Sequence, residues 1–331
     1  MEQRKLGTTG PLTSALGLGC MGMSHDFYGP ADRAEAIATI HAAREAGITL
    51  LDTGDFYGSG DNEMLIGDAL ADVPRDAYQL SVKFGALRDP AGAFIGYDGR
   101  PAAVRNFLAM SLKRLRTDHI DVYRLSRLDP EVPIEDTIGA IADMVKAGYV
   151  RHIGLSEVGA DTIRRAAAVH PITDLQIEYS LISRGIEDRI LPTCRDLGIA
   201  ITAYGVLSRG LISGHWQAGK QKNGDFRAFS PRFAAENLNH NLALVEALRR
   251  IAEAKGATVA QIAIAWVMAR GSDIIPLVGA RRRDRLTESL GALNVRLTAD
   301  DVAAIEAAVP KGAAKGDRYP SPLMVHLDSE K

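Results

Sequence analysis

Two cysteines, Cys20 and Cys194, are all the thiols in a chain of 331 residues, and no C-x-x-C spacing occurs. So few cysteines exclude a disulfide framework. They point to a reducing, cytoplasmic setting in which both serve as small buried side chains. No His/Cys/Asp cluster has metal-ligand spacing, so no metal is expected. Charge of one sign is lacking too: the formal net charge is −2, which gives no reason to expect nucleic acid or an anionic membrane as partner. No apolar run approaches the roughly 20 residues of a membrane span. The polar start MEQRKLGTTG lacks the apolar core of a signal peptide.

What is present is a regular alternation. Apolar strand-like runs fall at 16–19, 48–53, 78–83, 120–125, 152–156, 175–178, 199–204 and 273–278. Helix-like segments follow at 31–46, 102–115, 134–147, 161–169, 187–197 and 258–269, and the last strand leads to 285–293. Eight such units without a composition break predict a closed (β/α)₈ TIM barrel, an α/β fold in a single domain spanning 1–331. RKLGTTGPLTSA before the first run predicts a hairpin. The polar stretch from 205 to about 241, including GHWQAGKQKNGDF, is too long for an ordinary connection and predicts a lid or disorder, with an inserted helix at 242–255. The tail from Pro310 has no sustained periodicity; it is either loosely attached or folded over the barrel mouth.

Chemistry concentrates between residues 50 and 83. Asp52 and Lys83 each end an apolar run, and Tyr57 lies in the Gly-rich loop between them. In a parallel barrel such strand ends share one rim. A phenol titrates near 10, too high for efficient proton donation at neutrality. Lys83 is expected to lower that value, with Asp52 keeping the ammonium charged and oriented. Ser126, Ser156, Gln176, Tyr204 and Gly279 lie on or beside further strand ends. Gly17-Leu18-Gly19-Cys20-Met21-Gly22 fits G-x-G-x-x-G, but MSHDFYGPADR supplies no helix where a dinucleotide fold needs one. Its glycines more plausibly allow close approach of a ligand to the first strand.

LDTGDFYGSGDNEMLIGDAL, SVKFG, SLKRLRTDHIDVYRL, RHIGLSE, LQIEYSLISR, ITAYGVLSRGLISG and IIPLVGARRRDRLTESL, in this order, resemble the aldo-keto reductase family along nearly the whole chain. The resemblance implies carbonyl–alcohol interconversion by hydride transfer from NADP(H), preferred over NAD(H). It matches Tyr57 to the general acid, Lys83 and Asp52 to its partners, Ser156 and Gln176 to the nicotinamide carboxamide, and Tyr204 to the stacking ring. It matches 207–211, with Leu207, Arg209 and Gly210, to the pyrophosphate loop, and Gly279, Arg281 and Arg285 to the adenosine 2′-phosphate site, with Glu288 and Ser289 near the adenine. Gly22, Met23, Gly205 and Ala280 complete the expected cofactor contacts. The basic run Arg281, Arg282, Arg283 and Arg285 at a helix start independently favours a phosphate.

One departure stands out: Ser126 occupies the position of the family's tetrad His. Either Tyr57 remains the acid and Ser126 leaves space for a bulkier or cyclic carbonyl, or the protein is a cofactor-binding regulatory module like the family's channel β subunits. The retained Asp52, Tyr57 and Lys83 favour the enzyme. A lyase or isomerase using Lys83 as a Schiff base explains neither Tyr57 nor the arginines. Glu157, where many members carry Asn, marks a branch of the family. Phe27, Tyr28, Phe56, Phe84, residues 88–100, Trp216 and the tail are the expected walls of the substrate pocket.

Overall fold

Strand side chains alternate between two faces, so every second residue of each barrel strand enters the interior. The computed structural model describes residues 1–25, 27–216 and 225–331. A hairpin, β1 (Gln3–Lys5) and β2 (Leu12–Ser14), comes first. β3 (Gly17–Gly19), β4 (Leu50–Gly54) and β5 (Gln79–Phe84) follow. An outlying hairpin, β6 (Ala86–Arg88) and β7 (Phe94–Tyr97), interrupts the series. β8 (Ile120–Leu125), β9 (Val150–Ser156), β10 (Ile172–Glu178), β11 (Ala200–Tyr204) and β12 (Ile274–Gly279) complete it. Eight parallel strands, β3, β4, β5 and β8 to β12, close into the barrel in that order. The predicted runs fall on these strands with ends shifted by a few residues.

Helices α1 (Arg33–Glu45), α2 (Asp61–Ala69), α3 (Pro101–Leu115), α4 (Ile134–Lys146), α5 (Ala160–Val169) and α6 (Ile190–Asp196) pack outside. α7 (Ala235–Ala254), α8 (Val259–Ala269), α9 (Arg283–Leu290) and α10 (Ala299–Ala308) complete the ring. Local chemistry starts them: Asp32 accepts from Glu35 N at α1, and Thr258 with Gln261 forms a capping box at α8. α7 begins seven residues before the predicted 242. Its added turns carry Asn241, whose amide donates to Arg232 O and Lys315 O and so ties the tail to the barrel. Residues 217–224 of the expected lid lie outside the described residues. The G-x-G-x-x-G stretch forms β3 and a short 3₁₀ turn, Met21–Met23, without an α-helix. Among the described residues no single helix is long and apolar enough to cross a membrane.

The barrel floor is apolar. Leu6, from the loop of the first hairpin, is fully buried among Leu50, Val122, Ala200, Ile275 and Leu277. Above it the interior turns polar: Arg124 Nη1 lies 2.9 Å from Asp174 Oδ2, both side chains fully buried. Thr202 also donates to Asp174, and Arg124 Nη2 donates to Ser81 Oγ at 3.0 Å. A second buried polar group sits behind the rim. Asp55 follows β4 and accepts from Gly85 N at 3.3 Å. Its other oxygen, Glu63 Oε1 and the Tyr123 hydroxyl have no hydrogen-bond partner among the described residues. Burial first, and Glu63 second, push the Asp55 carboxyl up to about 8.

Two outcomes follow from these buried charges. Removing one partner of a buried pair typically costs about 3–5 kcal/mol, so Arg124→Met should lower stability in urea by that amount. The double change Arg124→Met/Asp174→Leu should recover most of it; a single variant of native stability would contradict the pairing. For Asp55 the folded pKa lies above the unfolded value of about 3.9. Its stabilising contribution is therefore complete below about pH 4 and is lost as pH rises through about 8. Asp55→Asn should gain on the native protein across that window and keep a constant difference above it. Parallel stability profiles for the two proteins would contradict the assignment.

Candidate active site

Parity along β4 and β5 turns Asp52, Ser81 and Lys83 into the barrel. Asp52 lies in register beside Ser81, and Gly54 beside Lys83. Lys83 Nζ is 2.5 Å from Asp52 Oδ1. The second carboxylate oxygen accepts from Ser81 Oγ at 2.8 Å and Gln176 Nε2 at 2.6 Å. Burial pulls the Lys83 pKa down, against the opposing pull of Asp52. One step farther along β5 the parity flips. Phe84, expected as a pocket wall, is fully buried and stacks on Tyr123 at 4.4 Å, with Phe107 of α3 at 6.1 Å. It belongs to the core, as alternation from Lys83 requires.

Tyr57 opens a short 3₁₀ segment, Tyr57–Gly60. Its ring meets the edges of Phe56 at 4.7 Å and Phe27 at 5.6 Å, and Lys83 Nζ lies 5.1 Å from its centroid. The sequence led to a phenol lowered by Lys83. The structure gives the opposite sign: burial first, then Asp52, raise it well above 10, with Arg127 pulling the other way. The reason is burial, reinforced by Asp52. Burial strips the phenolate of its solvation, and the negative charge of Asp52 nearby opposes it further, while Lys83 is held against Asp52, so the protonated form is favoured.

A cavity of about 470 Å³ runs from this cluster across the barrel mouth. Asp52, Tyr57, Lys83, Ser126, Phe56 and Tyr28 line it, as do Gln176, Tyr204, Gly205, Leu207, Arg209 and Gly210. Gly22, Gly279, Ala280, Arg281, Arg285, Glu288 and Ser289 also face it. The hydroxyl of Ser126 is buried there with no partner among the described residues. Four expected site residues do not line the cavity. Met23 and Phe84 belong to the core cluster, Phe27 flanks Tyr57, and Ser156 sits behind Arg127, whose Nη1 is 3.5 Å from its hydroxyl. Trp216 likewise packs elsewhere, edge-on against Phe233 at 4.6 Å.

The basic run divides. Arg282 pairs with Asp284 and Arg283 with Glu35, at 2.7 and 2.8 Å. Arg281 and Arg285 face the cavity. Arg285 is paired with Glu288 at 3.0 Å, whereas Arg281 Nη1 donates only to backbone carbonyls, including Tyr28 O at 3.1 Å and Pro30 O at 3.2 Å.

Several residues of the mouth escaped the sequence. Glu157, one residue beyond β9, is fully buried with φ of 52°. It accepts from the Tyr204 hydroxyl at 2.8 Å and from Arg318 at 3.0 and 2.9 Å. Burial alone would raise its carboxyl; Arg318, Arg127 and the Glu178 N–H together outweigh that and hold it well below the usual range. Glu178, the last residue of β10, is approached by Arg232 at 3.2 Å, Arg318 at 3.5 Å and Arg209 at 3.6 Å. The tail therefore folds over the mouth, the second of the two expected arrangements. Tyr319 follows Arg318 in, its hydroxyl 2.9 Å from that of Tyr204, and Arg209 lies 4.4 Å over its ring. The only sequence signal for this was local: acidic residues at strand ends, and an Arg-Tyr pair in an otherwise featureless tail.

A barrel whose mouth carries Tyr57, Lys83 and Asp52 beside a basic groove has clear relatives. The sequence model of the aldo/keto reductase family matches residues 15–310. A probable aldo-keto reductase of Glycine max is 42% identical over 315 residues, covering 95% of this chain and 91% of its own. Among solved structures, a glycerol dehydrogenase of Gluconobacter oxydans superposes with a TM-score of 0.84 at 27% identity, covering 98% of this chain and 96% of that one. An aldo-keto reductase of Bacillus halodurans in its holo form gives 0.78 at 26% identity, covering 96% and 99%. The chain belongs to the aldo-keto reductase family, oxidoreductases that act on carbonyl compounds with nicotinamide cofactors.

Proposed function

We propose that the protein reduces an aldehyde or ketone to the alcohol, with NADPH preferred over NADH and Tyr57 as the proton donor. The observation that carries this reading is the continuity of the cavity, from the Tyr57 phenol and the buried Lys83–Asp52 pair at one end to Arg281 and Arg285 at the other. The residues fit a nicotinamide dinucleotide. Tyr204 and Gln176 border the end near Tyr57, the turn 207–211 spans the middle, and Arg281 has no carboxylate within ion-pair distance among the described residues. An arginine without a carboxylate is suited to an adenosine 2′-phosphate. When bound, the reduced nicotinamide supplies a hydride to the carbonyl carbon.

The protein's own residues then complete the reaction. Tyr57, held in its protonated form, hydrogen-bonds the carbonyl oxygen and delivers the proton as negative charge grows there. The Lys83–Asp52 pair limits the cost of leaving phenolate, since Lys83 can turn its charge toward the new anion while Asp52 keeps it protonated. Ser126, with its unpartnered hydroxyl, offers the same oxygen a second donor where the family's His would stand. The aromatic wall of Tyr28, Phe56, Phe94 and Tyr97 suits an apolar or cyclic body.

NADPH consumption on a panel of aldehydes and cyclic ketones tests the reading. Tyr57→Phe should lower kcat by about 10²–10⁴-fold, the usual worth of a general acid, with bound NADPH retained. Arg281→Ala should weaken NADPH at least about tenfold while sparing NADH, as loss of a charge-assisted hydrogen bond implies. A Tyr57→Phe enzyme with native kcat would contradict the mechanism. Equal losses for both cofactors would contradict the phosphate site.

A further inference from the structure

Cations that line the cavity differ in what they are paired with. Lys83 has Asp52, Arg209 has Glu178, Arg227 has Asp225, and Arg285 has Glu288. Among the described residues two lining arginines have no carboxylate within ion-pair distance, and they stand at opposite ends. Arg281 is at the end assigned above to the 2′-phosphate. Arg127 is at the Tyr57 end, immediately after Ser126.

Arg127 meets only neutral acceptors. Nη1 donates to Ser126 O at 2.6 Å and approaches Ser156 Oγ at 3.5 Å, and Nη2 approaches the Tyr319 hydroxyl at 3.4 Å. A guanidinium has five N–H donors and stays charged at any physiological pH. Three contacts leave donors to spare, and a partly buried charge without a counter-ion is unfavourable unless something pairs with it. Glu157, the carboxylate whose field reaches Arg127, is already engaged by Arg318, Tyr204 and Ser329. Around Arg127 the same end of the cavity is aromatic, with Phe56, Phe94 and Tyr97.

We propose that the substrate is a carbonyl compound that also carries a carboxylate, which Arg127 pairs with while the carbonyl meets Tyr57 and Ser126. The proposal rests on the reductase reading and narrows its substrate from apolar carbonyls to oxo or formyl acids with an apolar or aromatic body. Arg127 is here a specificity residue: it holds the remote anion, and Tyr57 remains the acid. A planar, bidentate fork facing a carboxylate fixes the direction from which the carbonyl enters.

The test compares meta- and para-carboxybenzaldehyde with the matching tolualdehydes, which are similar in size and uncharged. The native enzyme should favour a carboxylated aldehyde at least tenfold in kcat/KM. Arg127→Met should bring that ratio to about one, and Arg127→Lys should keep part of it. A native enzyme that treats each pair alike, or a preference that survives in Arg127→Met, would overturn the proposal. If no aldehyde is reduced at all, the reductase reading fails separately. Calorimetric titration of the same compounds into the NADP⁺-loaded protein then decides the anion site: binding of the carboxylated aldehyde that Arg127→Met abolishes upholds it, and equal binding of both compounds refutes it.

Discussion

Lys83 holds an ammonium group inside a barrel, 2.5 Å from the carboxylate of Asp52 and shielded from solvent on all sides but the cavity. Either charge alone would be expelled from such surroundings or would lose its ionisation. Together they persist because the remaining carboxylate oxygen is satisfied by Ser81 and Gln176. Ser81 lies on β5, beside Asp52's own strand β4, and Gln176 on β10, directly across the ring from β4, so the pair also helps to fix the barrel's upper layer. Beneath it, Arg124 and Asp174 repeat the arrangement, with Ser81 shared between the layers. The interior is thus a column of compensated charge standing on the apolar floor that Leu6 completes.

The rim extends the same logic outward. Glu157 and Glu178 are buried carboxylates that recruit arginines from distant parts of the chain: Arg209, Arg232 and Arg318. Arg318 brings the tail with it, and Tyr319 comes to rest against Tyr204 and Arg209, two residues that line the cavity. Closing the mouth and shaping the cavity are therefore the work of one ion network. Arg127, like Arg281, stands outside it: it reaches hydroxyls and a carbonyl oxygen and no carboxylate among the described residues. In a site where almost every charge has been matched, these two arginines are the features that the proposals above assign to ligands.

Much of this could be read from the sequence, for definite reasons. Barrel strands buried on both faces are continuous apolar runs, so all eight stood out, and Asp52 and Lys83 were conspicuous as charges ending two of them. The motif-bearing loops then gave Tyr57 and the basic run before α9. Phe84 was misjudged because its neighbour Lys83 was followed by position rather than by parity, and adjacent strand residues face opposite ways. Arg318 was invisible because its partner Glu157 lies 161 residues earlier in the chain, and no periodicity records such a pairing. The direction of the Tyr57 shift was also beyond the sequence. It depends on how deeply the phenol is buried and how near Asp52 lies, which is a matter of ångströms.

Central to the whole account is that Tyr57 beside this compensated pair remains a protonated phenol, ready to give its proton only when a carbonyl oxygen becomes basic. The most direct measurement is a difference titration of tyrosinate absorbance, native protein minus Tyr57→Phe. The expected difference trace is flat through neutrality and beyond pH 10. A step below that, lost with the Tyr57 hydroxyl, would mean that Lys83 outweighs burial and Asp52 and that the phenol is not held protonated.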